Sequence, residues 1–237
     1  WKKYTYLFLN GTGITSGRRQ YADNNNDHFA VPPFGQFAYV RSPEYNFSYF
    51  DPATVYDPWP DLGSYTFTNQ DPTNAQTDPV RGSETFNLTV DRRERANNHV
   101  FRGFDGMVIP GGTVMWDGTD WLPTPVDVTI SGADDNNGGV GLPISYFPAT
   151  FFLPESTPLP AGYGYDPARM PGGPDVVDDG RGPDGTTLVR YEIRPHHFLT
   201  PEAYDAAIQN FANWFTYYRK RHLASRGAIG VAFQDLN

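Results

Sequence analysis

Ile208-Gln209-Asn210-Phe211-Ala212-Asn213-Trp214-Phe215-Thr216-Tyr217-Tyr218-Arg219-Lys220-Arg221 sets five aromatic rings and three cations in fourteen positions. The stretch suits a long helix, opened by Thr200-Pro201-Glu202. A threonine there caps the free amides of the first turn, proline fits the first helical position, and a carboxylate complements the positive end of the helix dipole. Ile208, Phe211, Phe215, Tyr218 and His222 share one face at helical spacing, and Ala207, Trp214, Tyr217, Arg221, Ala224 and Ala228 share another. Two apolar faces predict a central helix over 201–226, buried on more than one side and ended or loosened by Gly227 and Gly230. The run Arg219-Lys220-Arg221 reads as the solvated face of that helix.

Little else in the chain looks helical. Glycine (24) and proline (22) together approach a fifth of the 237 residues, a level at which irregular backbone dominates. Aromatic residues at 16% argue against disorder, so the chain reads as a folded, turn-rich body with a core of Tyr, Phe and Trp. The balance of 18 basic against 27 acidic residues gives a net charge of −9, which repels phosphate backbones and argues against nucleic acid as a partner. The chain has no cysteine, which excludes disulfides and thiolate metal sites. No apolar run has the length of a transmembrane segment. The start, Trp1 to Leu9, lacks Met and is too short in its apolar part for a signal peptide, so the chain reads as an interior piece of something longer.

Residues 4–9, Tyr-Thr-Tyr-Leu-Phe-Leu, form a short apolar run stopped at Asn10-Gly11-Thr12-Gly13, the pattern of a strand buried on both faces. Residues 18–33 read as loop, and 34–41 as a weakly alternating strand. Between 42 and 62, Ser-Pro, Asp-Pro and Trp-Pro steps extend the backbone and break helix. Short strands are expected at 63–68, 84–90, 107–116, 125–130, 147–152 and 187–193, separated by Gly, Pro and Asn turns. Residues 154–186 read as a surface loop, and no internal repeat is found.

Catalytic signatures are sparse. The five histidines, His28, His99, His196, His197 and His222, make no zinc-binding spacing. There is no Gly-x-Ser-x-Gly elbow and no phosphate-binding Gly-x-x-x-x-Gly-Lys loop. The acidic turns cluster oxygen donors of the kind calcium takes: Asp134 and Asp135, then Asp178 and Asp179 with Asp175 and Asp184. These clusters read first as solvated turns, with calcium as the alternative, and no other cofactor is expected. The sequons at Asn10, Asn46 and Asn87 matter only for a secreted eukaryotic protein. Tyr163 and Tyr165, in a Pro/Gly-rich segment, are candidates either for an aromatic surface that contacts sugars or proteins or for the core.

Two segments resemble the PilY-type proteins of the bacterial type IV pilus tip. The helix Gln209 to Arg221 is similar to that family's Asn-Phe-Ala-Asn-Trp…Tyr-Tyr-Arg-x-Arg block. Arg41 to Pro60, with Tyr45-Asn46, Tyr49-Phe50-Asp51-Pro52 and Tyr56-Asp57-Pro58-Trp59, resembles its Tyr-Asn…Pro-Trp block, in the same order. The resemblance implies an α/β fold: a partial von Willebrand factor A-like core, made of a first strand and the long helix (1–17 and 200–237), interrupted by a loop- and β-rich insertion (18–199). It implies that the missing strands come from elsewhere in the polypeptide or from another chain. Where the family has an Asp-x-Ser-x-Ser metal-dependent adhesion motif, this chain has Asn10, Thr12 and Ile14, a degenerate version in which an uncharged amide and an aliphatic group replace ligands.

The function implied is that of a non-enzymatic tip adhesin or pilus assembly factor, extracellular, at the bacterial cell surface. Its partners would be pilin-like subunits or other chains of the same assembly, and a host or abiotic surface. Two other readings stand beside it. The aromatic, acidic, short-stranded composition also suits an extracellular carbohydrate-binding or carbohydrate-active module, or a structural filament or surface-layer subunit.

Overall fold

The computed structural model describes residues 34–80, 85–93, 102–103, 105–132, 140–169 and 178–234. Its strands are β1 (Ala75–Gln76), β2 (Thr85–Phe86), β3 (Arg92–Arg93), β4 (Arg102–Gly103), β5 (Val108–Ile109), β6 (Val114–Trp116), β7 (Trp121–Pro123), β8 (Val128–Thr129), β9 (Val140–Gly141), β10 (Ser145–Tyr146), β11 (Thr150–Pro154), β12 (Asp178–Arg181) and β13 (Thr187–Glu192). Two α-helices close the chain, α1 (Pro201–Asn213) and α2 (Arg221–Gln234). The architecture is mixed: helices with small antiparallel sheets. One sheet has three strands in the order β11-β13-β12, and the others pair β1 with β2, β3 with β10, β4 with β9, β5 with β8 and β6 with β7. Every described ladder is antiparallel and lies between residues 75 and 192. The strand expected at 4–9 lies outside the described residues.

The terminal helix begins where the sequence places it. Thr200 Oγ1 accepts the Ala203 amide at 3.2 Å, and Pro201 opens the first turn. It does not then run on as one α-helix. Trp214–Tyr218 form a π turn, in which the Arg219 amide donates to Trp214 O, five residues back, at 2.9 Å. The extra residue turns all later positions by roughly 100° relative to an uninterrupted α-helix. Phe211, Trp214, Phe215, Thr216 and Tyr217 are each at most 1% exposed, so the helix is enclosed on all sides here.

Arg219 and Lys220 are a correction to the solvated face expected for 219–221, and the side chain of Arg221 lies outside the described ones. Arg219 and Lys220 are 3% and 6% exposed. Arg219 donates to Thr77 O at 2.6 Å and to Phe215 O, Lys220 Nζ donates to Thr77 O at 3.3 Å, and the Arg219 guanidinium stacks 4.0 Å from the Phe215 ring centre. Nor do the glycines end the helix, which continues to Gln234. A Cβ at Gly227 would lie 2.5 Å from Trp59 Nε1, so glycine is what lets α2 approach the indole.

The segment 48–77 has almost no secondary structure, and its backbone groups are satisfied by helix side chains. Trp214 Nε1 donates to Ser48 O (3.2 Å), Asn210 to Thr54 O (2.8 Å), Tyr218 to Asp57 O (2.7 Å), Tyr217 to Thr68 O (2.7 Å), Gln209 to Gln70 O (2.8 Å) and Thr216 to Gln76 O (2.8 Å). Asn210 Oδ1 in turn accepts the Tyr56 amide at 2.7 Å. Asn213, 4% exposed, uses all four of its valences. Its amide donates to Tyr56 O (2.8 Å) and Asn69 Oδ1 (2.9 Å), and its carbonyl accepts from Gln70 N (3.0 Å) and Gln209 Nε2 (3.2 Å). Phe50, fully buried, completes the junction, with ring centres of Phe211 at 4.9 Å, Phe151 at 5.5 Å and Tyr56 at 5.7 Å.

Within the loops one device recurs. In four Asp-Pro steps the Asp Oδ1 accepts the amide two residues on: Asp51 from Ala53 (2.9 Å), Asp71 from Thr73 (2.8 Å), Asp78 from Val80 (2.9 Å) and Asp166 from Ala168 (2.9 Å). Proline fixes one torsion and the carboxylate closes the turn, so the chain reverses without a ladder.

Several strand expectations change. Residues 34–41 fold as a 3-10 helix, Gly35–Arg41, kinked at Phe37 (φ −118°, ψ 17°), which buries Phe37, Ala38, Val40 and Arg41. Residues 63–68 contain a tight turn at Gly63, φ 59°, closed by reciprocal Leu62 and Tyr65 bonds of 3.0 Å. The run 107–116 divides at Pro110-Gly111-Gly112 into β5 and β6. The loop assigned to 154–186 contains β12, which pairs with β13 as expected at 187–193.

Replacing Asn213 with alanine leaves buried backbone groups without partners and should cost about 2–4 kcal/mol in chemical denaturation. Gly227→Ala should also destabilise, by about 1–3 kcal/mol, although helix propensity alone predicts a gain near 1 kcal/mol. A gain in melting temperature for Gly227→Ala would show that Trp59 does not constrain this position.

Candidate functional site

Of the two readings open for Tyr163 and Tyr165, exposed aromatic surface or core, the structure has the core. Tyr165 is buried, and Tyr163 is half-buried with its hydroxyl inside. The Tyr165 ring lies 5.3 Å from Phe198 and 5.5 Å from Tyr191, and Tyr163 lies 5.8 Å from Phe198. Burial pushes both phenols far above the ordinary tyrosine value, so they stay neutral. The segment carrying them is fastened to the foot of α1 by Asp166 N to His197 O (2.8 Å) and Leu199 N to Gly164 O (2.9 Å).

His196 and His197 sit in a 3-10 turn, Pro195–His197. His196 is exposed and His197 buried. His197 Nδ1 lies 3.0 Å from Tyr165 Oη and 3.0 Å from Glu192 O. Burial holds the His197 imidazole below the ordinary histidine value; His196 and Arg194 push the same way, while Glu192 opposes them.

The described residues also form a cleft of about 470 Å3, lined by Phe34, Gly35, Gln36, Val108, Pro110, Gly180, Arg181 and Thr187. It lies between the N-terminal end of the 3-10 helix, β5, and the β12–β13 hairpin. Its floor is apolar, and its polar groups are one guanidinium, one amide and one hydroxyl. A few polar groups over an apolar floor are the general make-up of small-ligand pockets. These residues come from four separate segments, and nothing in the sequence marks them as neighbours.

At the tip of the β6–β7 hairpin, Trp116 and Trp121 pair across the strands with ring centres 5.8 Å apart, and Arg93 stacks 5.9 Å from Trp121. The sequence signal for this pair is Trp116-Asp117-Gly118-Thr119-Asp120-Trp121, two indoles flanking an Asp-Gly turn. Asp117 Oδ1 closes that turn by accepting the Thr119 and Asp120 amides at 2.7 and 2.8 Å, bonds that hold its carboxyl below the usual carboxylate value.

Of the proposed metal ligands, Asn10, Thr12, Asp134, Asp135 and Asp175 lie outside the described residues. Asp178 and Asp179 open β12, where the register slips before Gly180. The Asp184 carboxylate accepts the Tyr45 hydroxyl at 2.7 Å and the Thr186 amide at 3.0 Å. Among the described residues no group of three or more histidines or carboxylates is placed to hold a metal ion. Among the same residues, no helix is long and apolar enough to cross a membrane.

No family model, curated protein or solved structure matches this chain.

The depressed His197 value fixes the sign of a pH dependence. The unfolded chain takes up this proton near pH 6.5, whereas the folded protein resists it. Stability should therefore be full above about pH 6.5 and fall as pH drops through 6.5 towards the lower folded value. In urea denaturation at a series of pH values, His197→Gln should flatten that slope; an unchanged slope would assign it to other groups.

Proposed function

We propose that this chain acts by binding rather than by bond chemistry, as a cell-surface protein of a type IV pilus system similar to PilY-type tip adhesins and assembly factors. One observation carries the reading. The two sequence blocks that resemble that family are a single interlocked unit: Asn210, Asn213, Trp214 and Tyr218 of the helix block bond Thr54, Tyr56, Ser48 and Asp57 of the Tyr-Asn…Pro-Trp block. That these side chains meet across about 160 positions supports reading the two blocks as one structural unit. The partners proposed are pilin-like subunits, and the acidic chain favours basic faces on them.

A carbohydrate-binding reading draws support from the Trp116–Trp121 pair, since indole faces stack on the C–H faces of sugars.

Purified minor pilins of the same organism, titrated against the chain by biolayer interferometry, should give saturable binding that weakens with salt. A signal no greater than that of an unrelated acidic protein would overturn the pilus reading. Saturable binding on a glycan array, lost in Trp121→Ala, would favour the carbohydrate one.

A further inference from the structure

We propose that the cleft between the Gly35–Arg41 helix, β5 and the β12–β13 hairpin binds the C-terminal residue of an apolar peptide, with Arg181 holding its terminal carboxylate. The inference stands apart from the pilus reading and rests only on the cleft.

Arg181 is exposed, and its guanidinium donates only to neutral oxygens, at long distances: Gly185 O at 3.3 Å and Thr187 Oγ1 at 3.5 Å. Among the described residues it has no carboxylate partner, in a chain with 27 acidic and 18 basic residues. The nearest acid in its own hairpin turn, Asp184, is committed to Tyr45 and Thr186. The fork therefore remains suited to a carboxylate supplied from outside, in the bidentate geometry arginine favours.

The other lining groups match the rest of a terminal residue. Phe34, Val108 and Pro110 supply an apolar floor for its side chain. Gln36 Nε2 donates to Val108 O at 3.1 Å, which fixes the amide and leaves its carbonyl oxygen as an acceptor for a peptide N–H. The volume of about 470 Å3 falls within the range of about 300–1,000 Å3 that small-ligand sites occupy. Gly180 is not shaped for the ligand. A Cβ there would lie 2.1 Å from Ala38 Cβ, so its glycine serves the packing of β12 on the helix.

The carboxylate could also belong to a small free acid, and the two sources separate in one experiment. Fluorescein-labelled Gly-Ser-Leu-Phe is titrated with the whole chain by anisotropy, as the free acid and as the C-terminal amide, with 3-phenylpropionate as competitor. The free acid should bind saturably, with the amide and the Arg181→Gln variant each about tenfold weaker or more, the range for losing a charge-assisted pair. Arg181→Lys should fall between, because it keeps the charge and loses the fork. Thermal unfolding should be unchanged in both variants, since the side chain is exposed. Equal binding of acid and amide, no saturable binding of either, or no effect of Arg181→Gln would overturn the proposal. Displacement by 3-phenylpropionate at concentrations matching the peptide would overturn the peptide assignment in favour of a small acid.

Discussion

The fold depends on a polar clamp: side chains of one aromatic helix complete the hydrogen bonds of a long segment that has almost no secondary structure of its own. Buried backbone amides and carbonyls must find partners, and a stretch rich in proline and turns cannot find them in a ladder. Gln209, Asn210, Asn213, Thr216, Tyr217 and Tyr218 supply those partners from the helix surface. Each bond contributes modestly in water, but leaving one unmade in the interior costs the full desolvation of the orphaned group. The clamp is therefore better described by what its loss would expose than by what each contact adds.

Aromatic packing and the clamp reinforce one another. Phe50 sits where the helix, β11 and the loop meet, and Trp214 touches the same cluster through Tyr49 at 4.8 Å while its indole N–H bonds Ser48. Ring faces fill the volume, and their polar tips satisfy the backbone around them, which is how a chain with 38% hydrophobic residues still forms a continuous core. The π turn belongs to the same solution, because it brings Arg219 and Lys220 inward onto Thr77 O. It also follows that the polar side chains along one helix, Gln209, Asn210, Asn213, Thr216, Tyr217 and Tyr218, are taken up by the architecture.

The outcome for individual residues shows where sequence reasoning holds. Thr200, Pro201 and Glu202 mark a helix start through local hydrogen bonding, and that start is observed. Residues 187–193 carry enough β-branched and aromatic character to form β13. By contrast, Phe34 to Arg41 alternates weakly like a strand but folds into 3-10 turns that bury Phe37, Ala38, Val40 and Arg41, with Gly180 of β12 against Ala38. Tyr163 and Tyr165 lie in a segment whose composition suggests a solvated loop, yet Phe198 and Tyr191 enclose them. Nothing local to those tyrosines records that enclosure.

The sequence by itself determined the terminal helix, its capped start, its burial on more than one side, the turn-rich body and the acidic surface. These follow from short-range rules: capping chemistry, helical periodicity, proline geometry and net charge. The tertiary structure alone decided the π turn, the burial of Arg219 and Lys220, the pairing of Asn213 with Tyr56, Asn69 and Gln70, and the cleft at Arg181. Each of these depends on segments brought together from tens to more than a hundred residues apart, and no local pattern encodes a contact whose partner lies that far along the chain.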